Sequence, residues 1–160
     1  MRWRLLALVV ASLGSLARVA AAQNAPRPYA EFRGDVIAGS GTATQAGAGL
    51  VVPLDVYVRL GLDAALGSTW RDGETRGSGR INGIARFLLD PFREVPIGLS
   101  LGGGVSVPYT MGNEHVRPYL TAVIDVEGRM HGAITPAIEL GLGGGTRVGL
   151  VLRASPARWR

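Results

Sequence analysis

The sequence predicts an all-β fold: a closed, antiparallel, up-and-down barrel of eight strands. Three observations carry this prediction. Eight stretches alternate at period two between apolar residues and small or charged ones, and almost no segment has a helical period. Glycine-rich or polar turn segments separate these stretches. The apolar faces are aliphatic throughout, whereas the opposite faces are mostly small.

The first 22 residues have the three-part layout of a secretory signal peptide. Arg2 and Arg4 precede an apolar run from residue 5 to residue 16, and Ala20 and Ala22 fit a cut after residue 22. The run is too short to span a bilayer as a helix, which disfavours a retained N-terminal anchor. We therefore expect residues 1–22 to be removed and residues 23–160 to form one barrel domain.

Composition excludes several classes of site. The chain has no cysteine, so disulfides, thiolate catalysis and cysteine-based metal sites are excluded. All 17 basic residues are Arg, and removal of residues 1–22 takes three of them, which leaves 14 Arg against 12 acidic residues. No Arg cluster remains, so nothing indicates a nucleic-acid partner.

Residues 56–66 show the alternation most clearly, because a strand sorts them onto two faces whereas a helix would scatter their charges around its surface. One face carries Val56, Val58, Leu60, Leu62, Ala64 and Leu66, and the other carries Tyr57, Arg59, Gly61, Asp63 and Ala65. The eight predicted strands are residues 29–38, 46–54, 56–66, 81–90, 97–107, 119–127, 134–142 and 147–154.

The lengths of the connections predict the orientation of the barrel. Modest connections follow the second, fourth and sixth strands, at Asp55 and at residues 91–96 and 128–133. Longer polar loops follow the third and fifth strands, at residues 67–80 and 108–118, and the last hairpin turns tightly. Short turns on one rim and longer loops on the other are typical of an outer-membrane barrel with both chain ends in the periplasm.

The two faces favour a transmembrane barrel over a soluble sandwich. A sandwich exposes charged residues and buries bulky aliphatic ones. Here the small face suits the narrow lumen of an eight-stranded barrel, in which sparse charges can pair. Closure also satisfies every strand edge, as lipid requires. The predicted lumen ion-pair network consists of Glu31, Arg33, Asp35, Arg59, Asp63, Arg86, Asp125, Glu127, Glu139 and Arg153.

In strand number and alternation, the chain after residue 22 resembles small outer-membrane barrels, namely the OmpA transmembrane domain and OmpX-like proteins. The last strand, with Arg147, Gly149, Leu152 and Ala154, is similar to the assembly signal of such proteins, although it lacks a terminal aromatic residue. The resemblance implies a place in the outer membrane of a Gram-negative bacterium, contact with outer-membrane lipid, and recognition of the last strand by the assembly machinery.

No constellation of residues predicts catalysis, a cofactor or a metal site. His115 in an outer loop and His131 in a periplasmic turn are predicted to lie roughly 30 Å apart, the thickness of the membrane core. Residues 141–146 superficially resemble a phosphate loop, but they lack Lys and precede a strand, so they predict a hairpin turn.

We therefore expect a structural, envelope-integrity or surface-interaction role without catalysis. Trp70, Arg71, Arg76 and His115 are the candidate loop residues for contact with lipopolysaccharide or a surface partner. Two alternatives stay open. A soluble periplasmic β-barrel would bind a small apolar ligand between its aliphatic faces, and an outer-membrane lipid-modifying enzyme would place His115 beside a hydroxyl and a carboxylate.

Overall fold

The structure, a computed structural model, describes residues 27–92, 96–112 and 116–154. The predicted signal peptide, residues 1–22, lies outside these ranges. Within them, no helix is long and apolar enough to cross a membrane. The described residues form the strands β1 (Tyr29–Ala38), β2 (Thr42–Pro53), β3 (Val58–Arg71), β4 (Glu74–Leu88), β5 (Gly98–Thr110), β6 (Tyr119–Glu127), β7 (Ile134–Leu142) and β8 (Thr146–Ala154).

The eight strands close into a barrel. Each strand pairs antiparallel with its neighbours in sequence, and β1 also pairs with β8. The closing register sets Phe32 opposite Leu152, and the register between β1 and β2 sets Ala30 opposite Leu50. Because the first and last strands pair with each other, the sheet has no open edge strand. The predicted all-β, up-and-down, eight-stranded barrel is confirmed.

The predicted loop at residues 67–80 is wrong. β3 and β4 continue through it as a paired hairpin, with Ser68 opposite Gly77 and Arg71 opposite Glu74. The turn consists of Asp72 and Gly73 alone, with φ of 52° and 80°. Two successive residues with positive φ match the right-handed twist of the flanking strands, and Asp-Gly is a favoured sequence for such a turn.

The predicted contrast between the two rims is also wrong. The terminal rim, which holds the first residue of β1 and the last of β8, carries the connections 54–57, 89–97 and 128–133. The opposite rim, named here the hairpin rim, carries 39–41, 72–73, 111–118 and 143–145. Three of these four connections are turns of two or three residues, so the hairpin rim has no set of long loops.

Alternation along every strand sorts the side chains into a lumen set and an outer set, because successive residues of a strand point to opposite faces. Among the described residues, 18 buried side chains are polar or charged and only eight are hydrophobic. Large aliphatic side chains such as Leu62, Ile124 and Leu150 are exposed on the outer surface. The barrel therefore has its polar groups inside and its apolar groups outside.

Candidate functional site: the charged lumen

Strand geometry places the charged residues in the lumen. On β1, Glu31, Arg33 and Asp35 stand two residues apart, so all three point to the same side of the sheet, and all three are buried. The structure brings all ten residues of the predicted network together in the lumen. Nine are buried, and the side chain of Arg59, near the terminal rim, is 21% exposed.

Glu139 lies at the centre of this network. Its carboxylate, fully buried on β7, accepts hydrogen bonds from Arg33 of β1 and Arg147 of β8, both at 2.6 Å. Arg86 of β4 donates a third bond at 2.5 Å. Since β4 and β7 are not neighbours in the barrel, this bond crosses the lumen. Three charge-assisted hydrogen bonds thus connect β1, β4 and β8 to one carboxylate of β7.

Arg153 organises the part of the network nearer the terminal rim. Its guanidinium nitrogens lie 3.0 Å from Glu31, 2.8 Å from Asp125 and 2.7 Å from Glu127. Glu127 also accepts a hydrogen bond from Arg59 at 2.7 Å. β1, β3, β6 and β8 are therefore connected through one guanidinium and its carboxylates.

Asp63 joins the network through both a charge and an amide. One of its oxygens lies 3.1 Å from Arg33 Nη1, and the other accepts a hydrogen bond from Asn82 at 2.7 Å. Ser106 in turn donates to the amide oxygen of Asn82 at 2.7 Å. These neutral groups extend the polar contacts to β5, which has no charged residue of its own.

Sequence reasoning missed two members of the network, Arg80 and Arg147. Arg80 fell in the wrongly predicted loop, but it lies on β4 with Nη2 2.6 Å from Asp35. Arg147 lies an even number of positions from Arg153 on β8, so the alternation of the sequence already placed both on the same side of the sheet. With both included, the described lumen holds six arginines and six carboxylates, so the network is electrically neutral. These are Arg33, Arg59, Arg80, Arg86, Arg147 and Arg153 with Glu31, Asp35, Asp63, Asp125, Glu127 and Glu139.

Glycines on the lumen face leave space for the long side chains. A Cβ atom on Gly61 would lie 2.7 Å from Arg86 Nη1, and one on Gly149 would overlap Asp35 Oδ1. The network therefore depends on positions without a side chain as much as on the charges themselves, because protein interiors tolerate little overlap.

This arrangement is suited to holding the barrel together. Transfer of an ion from water to a protein interior costs several kcal/mol, which mutual attraction and hydrogen bonds offset only when every ion is paired. Among the described residues, no group of three or more His, Cys, Asp or Glu side chains is placed to hold a metal ion. His131 is exposed at the terminal rim, with Nδ1 2.9 Å from the carbonyl oxygen of Arg129, and His115 lies outside the described residues.

Three of the four residues predicted as surface-loop contacts, Trp70, Arg71 and Arg76, lie on strands, so their assignment to a loop is wrong. Trp70, on β3, points outward and is 44% exposed. Arg71 and Arg76 point to the opposite side of the sheet and lie at the mouth of the lumen. There Arg71 pairs with Asp72 at 3.3 Å, and Arg76 pairs with Glu74 at 2.5 Å. The structure thus separates Trp70 from the two arginines.

The lumen opens at the hairpin rim into a cavity, named here the vestibule. Its upper level has a volume of about 370 Å³ and its lower level about 230 Å³. Both levels share the lining residues Ser40, Gly41, Thr69 and Thr110. The upper level adds Arg71, Asp72, Glu74 and Arg76, and the lower level reaches down to Gln45, Ser78, Arg80 and Tyr119.

Comparison with known proteins adds no relative: no protein-family model matches the chain, and no curated protein matches it.

Proposed function

We propose that the chain is an outer-membrane β-barrel protein of a Gram-negative bacterium, exported through its signal peptide, with a structural, envelope-integrity or surface-interaction role and no catalysis. The observation that carries the proposal is the inverted polarity of the barrel. The outward positions of β1–β8 hold no charged residue, whereas the described lumen holds twelve. The largest apolar patch of a soluble monomer is typically about 300–600 Å², but here aliphatic residues surround the whole barrel.

The height of the apolar surface supports a membrane as its solvent. On β3 the outward positions are apolar from Val58 to Leu66 and polar at Ser68. These nine residues rise about 3.3 Å each, and at the usual barrel tilt of about 40° they span about 23 Å along the axis. The apolar band of an outer-membrane barrel is about 25 Å tall.

Aromatic residues border this band at both rims. At the terminal rim, Tyr57 stacks on Phe87 with ring centroids 5.7 Å apart and meets Phe92 edge-on at 6.3 Å. At the hairpin rim, Trp70 and Tyr109 are exposed on the outer surface. Amphipathic aromatic rings favour the membrane–water interface, and such girdles flank the apolar band of membrane barrels.

The geometry disfavours the soluble ligand-binding alternative. A site for a small apolar ligand is lined predominantly by hydrophobic side chains. In this barrel the aliphatic faces point outward, and paired charges occupy the lumen. The lipid-modifying alternative depends on His115, which lies outside the described residues, so no geometry favours it.

Fractionation of a Gram-negative host that expresses the full chain tests the membrane location. We expect the protein in the outer-membrane fraction, with an intact mass that corresponds to a cut after Ala22. On a detergent gel, the unheated sample should migrate faster than the boiled one, because a closed barrel resists detergent. A matched chain without residues 1–22 should stay in the cytoplasm and show no heat-dependent shift.

Recovery of the mature protein in the soluble periplasmic fraction, with no shift on heating, would refute the membrane location. The envelope-integrity role has a separate test in the native host. A deletion strain should become more sensitive to detergents and bile salts than the parent strain. Unchanged sensitivity would exclude this role and leave the structural and surface-interaction roles.

A further inference from the structure

The vestibule ends at the lumen network and is therefore a pocket with its mouth at the hairpin rim. Arg80 lines its lower level and lies 2.6 Å from Asp35. Asp35 is also paired with Arg33 at 2.8 Å, and Arg33 with Glu139 at 2.6 Å. A solute that enters from the hairpin rim thus meets a layer of paired and buried side chains below it.

The walls of the vestibule are formed by paired strands, so its shape exists before any ligand binds. Thr69 and Arg71 project from β3, and Arg76 and Ser78 from β4, whose pairing runs without interruption to the two-residue turn. Thr110 lies on β5, opposite Ser78. Preformed walls reduce the entropy that is lost on binding.

The charges of the described residues around the vestibule cancel. At the mouth, Arg71 pairs with Asp72 and Arg76 with Glu74, and below them Arg80 pairs with Asp35. Among the described residues, three arginines thus face three carboxylates, so this part of the wall has no net charge that would favour an anion or a cation. A neutral ligand with many hydrogen-bonding groups fits such a wall better than a charged one.

Two side chains that line the lower level carry one acceptor and one donor without a partner. Gln45 and Arg80 are 8% and 4% exposed, and within the described part of the chain Gln45 Oε1 and Arg80 Nε have no hydrogen-bond partner. A hydroxyl group donates and accepts at once, so one type of group satisfies both atoms. The hydroxyls of Ser40, Thr69 and Thr110 surround the same space.

From these observations we propose that the vestibule binds a small, neutral, polyhydroxylated solute of about monosaccharide size. The lower level, at about 230 Å³, corresponds to roughly eight water molecules at about 30 Å³ each. Tyr119, whose ring packs against the Gly144 turn, provides an aromatic wall on one side of it. This inference needs only the closed barrel and does not depend on its membrane location.

Titration of the purified protein with glucose tests the proposal, with binding followed by saturation-transfer NMR. The protein is taken from the fraction in which it is recovered, and the heat-dependent gel shift establishes that the barrel is intact. We expect saturable binding of glucose and none of sodium phosphate or choline chloride. Gln45→Leu removes the unused acceptor without touching the ion-pair network, and it should weaken glucose binding about tenfold or more.

Arg129→Gln serves as the matched control, because Arg129 is exposed in the connection between β6 and β7 at the terminal rim, and this variant should bind glucose like the parent. A second variant, Thr69→Val, changes the wall shared by both levels and should also weaken binding. An intact barrel that does not bind glucose, or binds phosphate or choline instead, would overturn the proposal. Equal glucose affinity of the parent and Gln45→Leu would also overturn it.

Discussion

Removal of the charge of Glu139 should destabilise the barrel more than any other single neutralisation in the lumen. Glu139→Gln preserves the shape of the side chain, but it leaves three guanidiniums, those of Arg33, Arg86 and Arg147, around an uncharged amide. The lumen then has six arginines against five carboxylates. Loss of one partner of a buried ion pair costs about 3–5 kcal/mol, and we expect the free energy of unfolding to fall by that amount.

Arg147→Met is the matched second change. Within the described residues, Glu139 is the carboxylate at ion-pair distance from Arg147, and Glu139 keeps Arg33 and Arg86 when Arg147 is lost. We expect a smaller loss for this variant, about 1–3 kcal/mol. The double variant has five charges of each sign and is neutral again. Its loss of unfolding free energy should be smaller than the sum of the two single losses by at least about 1 kcal/mol. This difference lies within the range of interaction energies known for residues in contact.

Urea titrations of the folded barrel measure these free energies, with the folded fraction read from the gel shift of unheated samples. Glu74→Gln is the control, because Glu74 is paired with Arg76 at the exposed hairpin rim, and such pairs contribute about 0–1 kcal/mol. Strictly additive losses in the double variant would refute the argument that lumen neutrality stabilises the barrel. So would equal losses for Glu139→Gln and Glu74→Gln.

Three further substitutions test the outer surface, the lumen space and the turn. Leu62→Arg, in the middle of the apolar band, should lower the folding free energy in lipid vesicles by about 2–4 kcal/mol, whereas Thr44→Arg, beyond the band, should lower it much less. Equal losses for the two variants would contradict the membrane location. Gly149→Val should lower the free energy of unfolding by about 1–3 kcal/mol because its Cβ would overlap Asp35, and Gly34→Ala, which faces open space, should leave that free energy unchanged. A Gly149→Val variant as stable as the parent would show that the lumen has free space. Gly73→Val should lower the unfolding free energy by about 1–2 kcal/mol, because a side chain disfavours the φ of 80° although its Cβ would meet no other atom. No loss of stability would show that the turn adopts another conformation.

Most of the barrel could be predicted because alternation reports which face each residue occupies. Residues 119–127 and 134–142 are strands with the predicted bounds, since each places aliphatic residues on one face and polar ones on the other. The pattern fails at residues 67–80 because they extend beyond the apolar band, where both faces of the hairpin carry small or polar residues apart from Trp70. There the pairing depends on the Asp72-Gly73 turn, a local signal that periodicity does not detect.

The composition of the lumen network could be predicted better than its connections. Alternation identified ten inward charges but omitted Arg80, which fell at the end of the predicted loop 67–80, and Arg147, which points to the same side of β8 as Arg153. The predicted network held four arginines and six carboxylates, which left two negative charges unpaired in a closed space. This imbalance itself indicated that two arginines of the lumen had been omitted. Which side chains meet across the lumen, as Arg86 and Glu139 do, depends on barrel register and shear, which the pattern within one strand does not encode.

Charge and space constrain the lumen together, and this limits the roles that the barrel can have. An arginine introduced into the lumen would need a carboxylate to pair with and a nearby glycine to leave room for its side chain. Arg86, for example, pairs with Glu139 and occupies the space next to Gly61. The described lumen has no net charge to attract ions, and an eight-stranded barrel is just wide enough for its own side chains to fill, so a wide diffusion pore is disfavoured. The surfaces that remain accessible to other molecules are the apolar outer wall and the two rims. Of the two rims, the hairpin rim holds the vestibule, so the proposed functions are assigned to the outer wall and the hairpin rim.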